Sequence, residues 1–279
     1  TAWETVPMAS DTGIATGAQG EATSEPGLRA RWRRRLGWDT YHWWHEVVLI
    51  AVGYAVYTVI RDTVPAHRAT AFHNARNIVR YERDLGIFHE HAINAWLAPI
   101  HWLSDVADYW YATAHFVVTI GVAVWIIWKH PPQARALRIA WYSMNLYALL
   151  GFAFYPLAPP RLLPGFVDTI MKYGIWGSVG KKGSADGASN QFAAMPSMHI
   201  GWSTWCAVVL IAMSTRWWVK ALAAAYPMVT FVVILGTGNH YILDAVGGLV
   251  ALSLGFATSW AITRHSPFAP DPGVPAHPS

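Results

Sequence analysis

Charge is scarce in this sequence. Only 13% of its 279 residues are Asp, Glu, Lys or Arg, against 54% hydrophobic, and the mean hydropathy is +0.25. A soluble domain carries about a quarter charged residues. This chain has too few to cover a water-facing surface and reads as an integral membrane protein. Cysteine is scarcer still: Cys206 stands alone, which excludes an intramolecular disulfide. Its place inside an apolar run suits a small buried hydrophobe. No stretch interleaves basic and aromatic residues in a nucleic-acid-binding pattern. The net charge of +4 and a pI near 9.2 therefore point to basic loops beside anionic lipid rather than to DNA or RNA. The His-Glu-x-x-His of zinc proteases is missing, as are the paired boxes of a di-iron membrane hydroxylase. The thirteen histidines define no metal centre; no metal and no cofactor are expected. His42, His45, His89, His91, His101 and His115 read as interfacial.

What the chain does have is aromatic residues and long apolar runs. Seventeen Trp and twelve Tyr suit the membrane–water interface. Apolar segments fall at about 43–60, 107–128, 138–156, 198–214, 217–236 and 241–262, each close to the roughly 20 residues that cross a bilayer. This predicts an all-α polytopic protein with six transmembrane helices. Residues 1–28 read as a disordered segment, 29–264 as the membrane-embedded domain, and 265–279 as a disordered Pro-rich tail. The first apolar segment reads as a retained helix rather than a signal peptide, since no small-residue cleavage site follows it. In the 66–104 region, Ile78, Tyr81, Leu85 and Phe88 recur at helical spacing among charges, which predicts amphipathic helices at the interface.

The basic run Arg29, Arg31, Arg33, Arg34 and Arg35 precedes the first span. Lys129, Arg135, Arg138, Arg216, Lys220 and Arg264 fall on the same side of the predicted topology. By the positive-inside rule that side is cytoplasmic, with both termini on it. Residues 157–197 and 237–240 then face outward, which suggests a plasma-membrane protein with an extracytoplasmic site.

Three motifs meet on that outer side. One is Tyr155-Pro156-Leu157-Ala158-Pro159-Pro160-Arg161. The second is Met195-Pro196-Ser197-Met198-His199, and the third Gly238-Asn239-His240-Tyr241-Ile242-Leu243-Asp244. Arginine presents a planar fork that matches phosphate oxygens, although Arg161 taken alone serves equally as a snorkelling interface residue. His240 and Asp244 are four apart and share a helix face. A carboxylate bonded to one ring nitrogen fixes the tautomer and leaves the other free to attack. An ionisable residue within a span is a functional candidate, yet a lone His-x-x-x-Asp is weak evidence, and His199 alone could simply be solvated.

Together, "YPLAPPR", "NQFAAMPSMHIGW" and "GTGNHYILDAVGG" resemble the type-2 phosphatidic acid phosphatase superfamily over roughly residues 40–262. They look most like the branch containing inositol phosphorylceramide synthases and their bacterial relatives. The resemblance implies a six-helix membrane core and metal-independent transfer through a phosphohistidine. It implies His240 as nucleophile, Asp244 as its orienting partner and His199 as the acid on the leaving group, with Ser197 and Arg161 holding phosphate oxygens. Two cations of the phosphatase branch are replaced here, by Phe154 and Ile234. Lys172, Lys181 and Lys182 could restore charge, and Lys181, Lys182, Asn239 and Tyr241 are candidates for head-group contacts. The missing cations favour transfer from a lipid donor to an alcohol over transfer to water. A polyprenyl or phosphatidate phosphatase is the alternative, and a non-enzymatic transporter would explain the spans though not the motifs. Oligomeric state is not encoded in any of these features.

Overall fold

The computed structural model describes residues 68–173 and 192–271, with Val48, Val52 and Ala55 as isolated helical positions. The N-terminal segment, the basic run, the rest of the first expected span, and Lys181 and Lys182 lie outside the described residues. Every regular element among the described residues is helical, and a lone parallel bridge pairs Leu157 with Ala193. In chain order the helices are α1 (Arg68–Asp84), α2 (Glu90–Leu97) and α3 (His101–Tyr109), which runs through a π-helical turn (Trp110–Ala114) into α4 (His115–Lys129). Then come α5 (Pro131–Phe154), a 3₁₀ turn (Pro160–Leu162), α6 (Thr169–Tyr173), α7 (Met198–Met213), α8 (Trp217–Gly236) and α9 (Ile242–Thr263).

Among the described residues three helical stretches are long and apolar enough to cross a membrane: His101–Lys129, Trp217–Gly236 and Ile242–Thr263. The helix at Met198–Met213 is apolar but shorter. α5 is long, but its first half carries Arg135 and Arg138, which lowers its hydropathy. The outward faces of the long helices are apolar, with Val117, Ile120, Leu222, Met228, Val246 and Val250 all exposed. So continuous an apolar surface is untenable in water and fits a protein embedded in lipid.

Successive helices run antiparallel, as short connections demand. The α4–α5 and α7–α8 corners and the end of α9 therefore share one end of the bundle. The exits of α5 and α8 and the start of α7 share the other. α9 packs most extensively on α5, and α7 on α8. Leu137, Met144, Trp205, Cys206, Val209 and Leu252 form the core between them. Cys206 is fully buried there, within 3.5 Å of the Thr119 hydroxyl.

Two details differ from the sequence reading. In α1 the buried stripe is Ala71, Ala75, Ile78 and Glu82, while Tyr81 and Leu85 are exposed. Tyr81 and, just past the helix end, Leu85 thus face away from the protein, while the two alanines let the helix approach the bundle. The chain after α9 is also not a loose tail from 265 onward. Residues up to Asp271 turn back on the α4–α5 corner, where the Asp271 N–H donates to the Pro132 carbonyl at 3.0 Å and its carboxylate pairs with Arg135 at 3.2 Å.

Gly248 sets the approach of α9 to α7. A Cβ there would stand 2.3 Å from the Ser197 carbonyl oxygen, a backbone atom that cannot swing aside. Gly248→Ala is expected to lower the thermal midpoint of the detergent-solubilised protein. Gly121→Ala in α4, where a Cβ meets nothing within 4 Å, should raise it slightly or leave it unchanged, since alanine is the better helix former by about 1 kcal/mol. Thermal unfolding of both variants side by side checks this; equal midpoints would contradict it.

Candidate active site

His240 sits in the turn between α8 and α9, and the turn is fixed by its backbone. Gly238 adopts a left-handed conformation (φ 69°), which glycine takes without steric cost. Its carbonyl accepts the Arg161 N–H at 2.7 Å. The Asn239 and His240 N–H groups both turn back onto the Ile234 carbonyl. His240 is buried, and its Nδ1 lies 2.9 Å from the Ala194 carbonyl and 3.3 Å from Asp244 Oδ2. A carbonyl can only accept, so Nδ1 carries the hydrogen. Nε2 is buried and without a hydrogen-bond partner among the described residues.

The start of α9 is held by three carboxyl groups from three helices. Asp244 Oδ2 accepts the Tyr241 N–H at 3.0 Å, closing a capping box. Glu90 Oε1 on α2 accepts the Ile242 N–H at 2.9 Å, and Glu82 Oε1 on α1 accepts the Leu243 N–H at 2.7 Å. A helix N-terminus leaves its first N–H groups without intrahelical partners and carries partial positive charge. Here three successive ones are each given a carboxyl oxygen. Glu82 and Glu90 are fully buried. Burial, followed by the adjoining Glu90 carboxyl, pushes Glu82 up to about 9. It therefore holds a proton at neutral pH.

His199 opens α7, and its ring lies 5.4 Å from that of His240. Its Nε2 is 3.2 Å from the Tyr111 carbonyl in the π turn, and its ring stacks on Tyr111 at 4.2 Å. The His115 ring also packs against His199 in a T-shaped contact, with ring centroids 4.4 Å apart. The Nε2–H of His199 therefore donates to Tyr111, and Nδ1 is the nitrogen left to exchange a proton.

Arg161 donates from Nη1 to Asn239 Oδ1, and its Nε lies 3.4 Å from Asp168. Ser197 caps α7, and its N–H donates to the Asp244 carbonyl at 2.9 Å. Its hydroxyl is buried and unpartnered among the described residues. The site thus gathers Arg161, Ser197, His199, His240 and Asp244. Asn239 is buried beneath Arg161 and orients it. Tyr241 is also turned inward: it is fully buried and its hydroxyl donates to the Ala158 carbonyl at 3.0 Å, so it offers a head group nothing. Phe154 is exposed and Ile234 is buried in apolar packing, so neither contributes charge. Among the described residues no group of three or more His, Cys, Asp or Glu is placed to hold a metal ion.

Four residues at the site escaped sequence reasoning: Tyr111, His115, Glu82 and Glu90. A signal existed for Glu82, which continues the spacing of Ala71, Ala75 and Ile78 and so falls on the buried face. For the other three the sequence carries no local signal.

Residues 76–258 match the PAP2 superfamily, about two thirds of the chain, and the protein belongs to that superfamily. Membership places it among enzymes of phosphatase- or phosphotransferase-type lipid phosphate chemistry. No curated protein and no solved structure matches the chain at a significant level.

The Glu82 proton has a consequence for stability. The carboxyl ionises near 4.5 when unfolded and near 9 when folded, so between those values the folded state alone binds the proton. Stability from this group is full below about pH 4.5 and falls as pH rises towards 9. Glu90 and Asp244 are the acidic neighbours that oppose its ionisation. Thermal midpoints measured from pH 5 to 9 should decline in the unaltered protein. They should decline less in Glu82→Gln, whose amide oxygen can still accept the Leu243 N–H. Identical pH profiles would contradict this account.

Proposed function

We propose that the protein is a membrane phosphotransferase that moves a phosphoryl or head-group phosphate from a lipid donor to an alcohol acceptor through a phosphohistidine on His240. The observation that carries this reading is the free Nε2 of His240, whose Nδ1–H is fixed by Ala194 and Asp244. A nucleophile needs an available lone pair and a tautomer that cannot swap.

In the first step the Nε2 lone pair attacks phosphorus, the P–O bond to the leaving group breaks, and the departing oxygen takes the Nδ1 proton of His199, which enters as the imidazolium and keeps its Nε2–H on the Tyr111 carbonyl. Asp244 stabilises the positive charge that develops on the His240 ring. In the second step His199, now neutral, accepts the proton of the acceptor hydroxyl as its oxygen attacks phosphorus and the P–N bond breaks. Arg161 and the Ser197 hydroxyl hold the non-bridging oxygens. Phe154 and Ile234, where the phosphatase branch carries cations, favour the transferase over hydrolysis of a polyprenyl or phosphatidate phosphate. Superfamily membership favours an enzyme over a transporter. The complete molecule would have six spans, with both termini cytoplasmic and the site extracytoplasmic, as at the plasma membrane. In support, Lys129, Arg135, Arg138, Arg216 and Arg264 cluster at the end of the bundle away from His240. Lys181 and Lys182 remain candidates for the head group.

The test is product analysis with candidate phospholipids, with and without alcohol acceptors, alongside phosphoenzyme trapping. A new phosphodiester supports the transferase, and free phosphate alone the phosphatase. His240→Ala should form no phosphoenzyme, and Asp244→Asn should fold but trap it slowly. His199→Ala should lose about 10²–10⁴-fold with a lipid alkoxide leaving group and recover part of that with an activated aryl phosphate. A phosphoenzyme in His240→Ala but not in His199→Ala would reverse the two roles. Vanadate should inhibit, and activity lost to EDTA and restored by Mg²⁺ or Zn²⁺ would count against the mechanism.

A further inference from the structure

The rings of Tyr111, His199 and His240 form a triangle with centroid separations of 4.2, 5.4 and 6.3 Å. The two histidines are the pair between which the reacting phosphate would lie, and Tyr111 closes the third side. The π turn that carries it is anchored to α8, where the Trp110 indole N–H donates to the Thr230 hydroxyl at 3.1 Å. π turns of this kind recur at functional sites. The Tyr111 ring stacks on His199 and its carbonyl takes the His199 Nε2–H. The hydroxyl remains. It makes no hydrogen bond among the described residues, on a half-buried side chain that lies within electrostatic reach of Arg161, Asp108, Asp168 and Asp244. A phenol in such a place usually finds a partner.

The site also has a deficit to make good, since the positions of two phosphate-binding cations hold an exposed Phe154 and a buried Ile234. An O–H donor serves a phosphate oxygen without adding charge to a poorly hydrated site. We propose that Tyr111 is a substrate-binding residue: its hydroxyl donates a hydrogen bond to a non-bridging oxygen of the phosphate held between His199 and His240, while its ring and carbonyl position His199. This rests on the phosphohistidine reading above and adds to it a donor from a different helix.

Tyr111→Phe and Tyr111→Leu separate the two parts of the claim. Phenylalanine keeps the stack and the carbonyl and removes only the O–H. One hydrogen bond to a charged group is worth roughly 10–100-fold, so kcat/KM should fall by that factor and vanadate inhibition should weaken in parallel. The thermal midpoint should not change, because no protein group is deprived of a partner. Leucine removes the stack as well. It should add a loss that is larger for a lipid alkoxide than for an aryl phosphate, the signature of an impaired His199. Tyr111→Phe within about twofold of the unaltered protein in both rate and vanadate inhibition would overturn the binding role. So would a marked fall in its thermal midpoint, which would show the hydroxyl to be a structural group. If the unaltered protein forms no phosphoenzyme and is blind to vanadate, the functional reading itself fails, and Tyr111's role with it.

Discussion

The seating of α9 against three carboxyl groups is the constraint on which the rest of the site depends. Helix N-termini usually expose their free N–H groups to water or to one capping side chain. In this molecule the N–H groups of Tyr241, Ile242 and Leu243 are bound by Asp244, Glu90 and Glu82, drawn from α9, α2 and α1. These bonds tie that end of α9 to α1 and α2. The same Asp244 Oδ2 faces His240 Nδ1, so the cap of the helix and the orientation of the imidazole are one arrangement. The Asp244 carbonyl in turn receives the Ser197 N–H, which ties the start of α7 to the start of α9. Gly248, one turn further along, keeps the two backbones in contact.

How much of this was legible in the sequence follows from the range of the interactions. His240 and Asp244 are a turn apart on one helix, and Ser197 and His199 lie two apart, so their grouping is written into short motifs. Arg161 joins them because its own motif ends a span on the same side. The remaining groups are reached only through tertiary contacts. The bond from Ile242 to Glu90 spans 152 positions, that from Leu243 to Glu82 spans 161, and His199 meets Tyr111 across 88. Helical periodicity shows which face of a segment is apolar but not which element it meets. In α1 even the face was ambiguous, because small alanines, rather than the bulky Tyr81 and Leu85, turned out to mark the buried side. The apolar runs placed the described helices well, but hydropathy alone did not reveal that α5 and α7 fall short of the other spans in apolarity or in length.

The two ends of the bundle carry different chemistry. At one end buried carboxyls, imidazoles and the unpartnered Ser197 hydroxyl converge. At the other the corners are basic, and the chain beyond α9 folds over them, with Asp271 on Arg135 and Phe268 packed at 5.7 Å on Phe256. Long apolar helices separate the two.

The π turn at Trp110–Ala114 also bears on how this helix tolerates insertion and deletion. Such a turn holds one residue more than the α-helical ladder needs, and each residue advances an α-helix by about 100°. The stretch His101–Lys129 is therefore two helices in different angular register, joined at the level of the histidines. Loss of a single residue there would restore an unbroken α-helix and rotate one half against the other. The residues before the turn and those after it could not then both keep their present neighbours, even with every side chain at the site still present. In this stretch the length of the chain is as specific a determinant of the site as the identity of its residues.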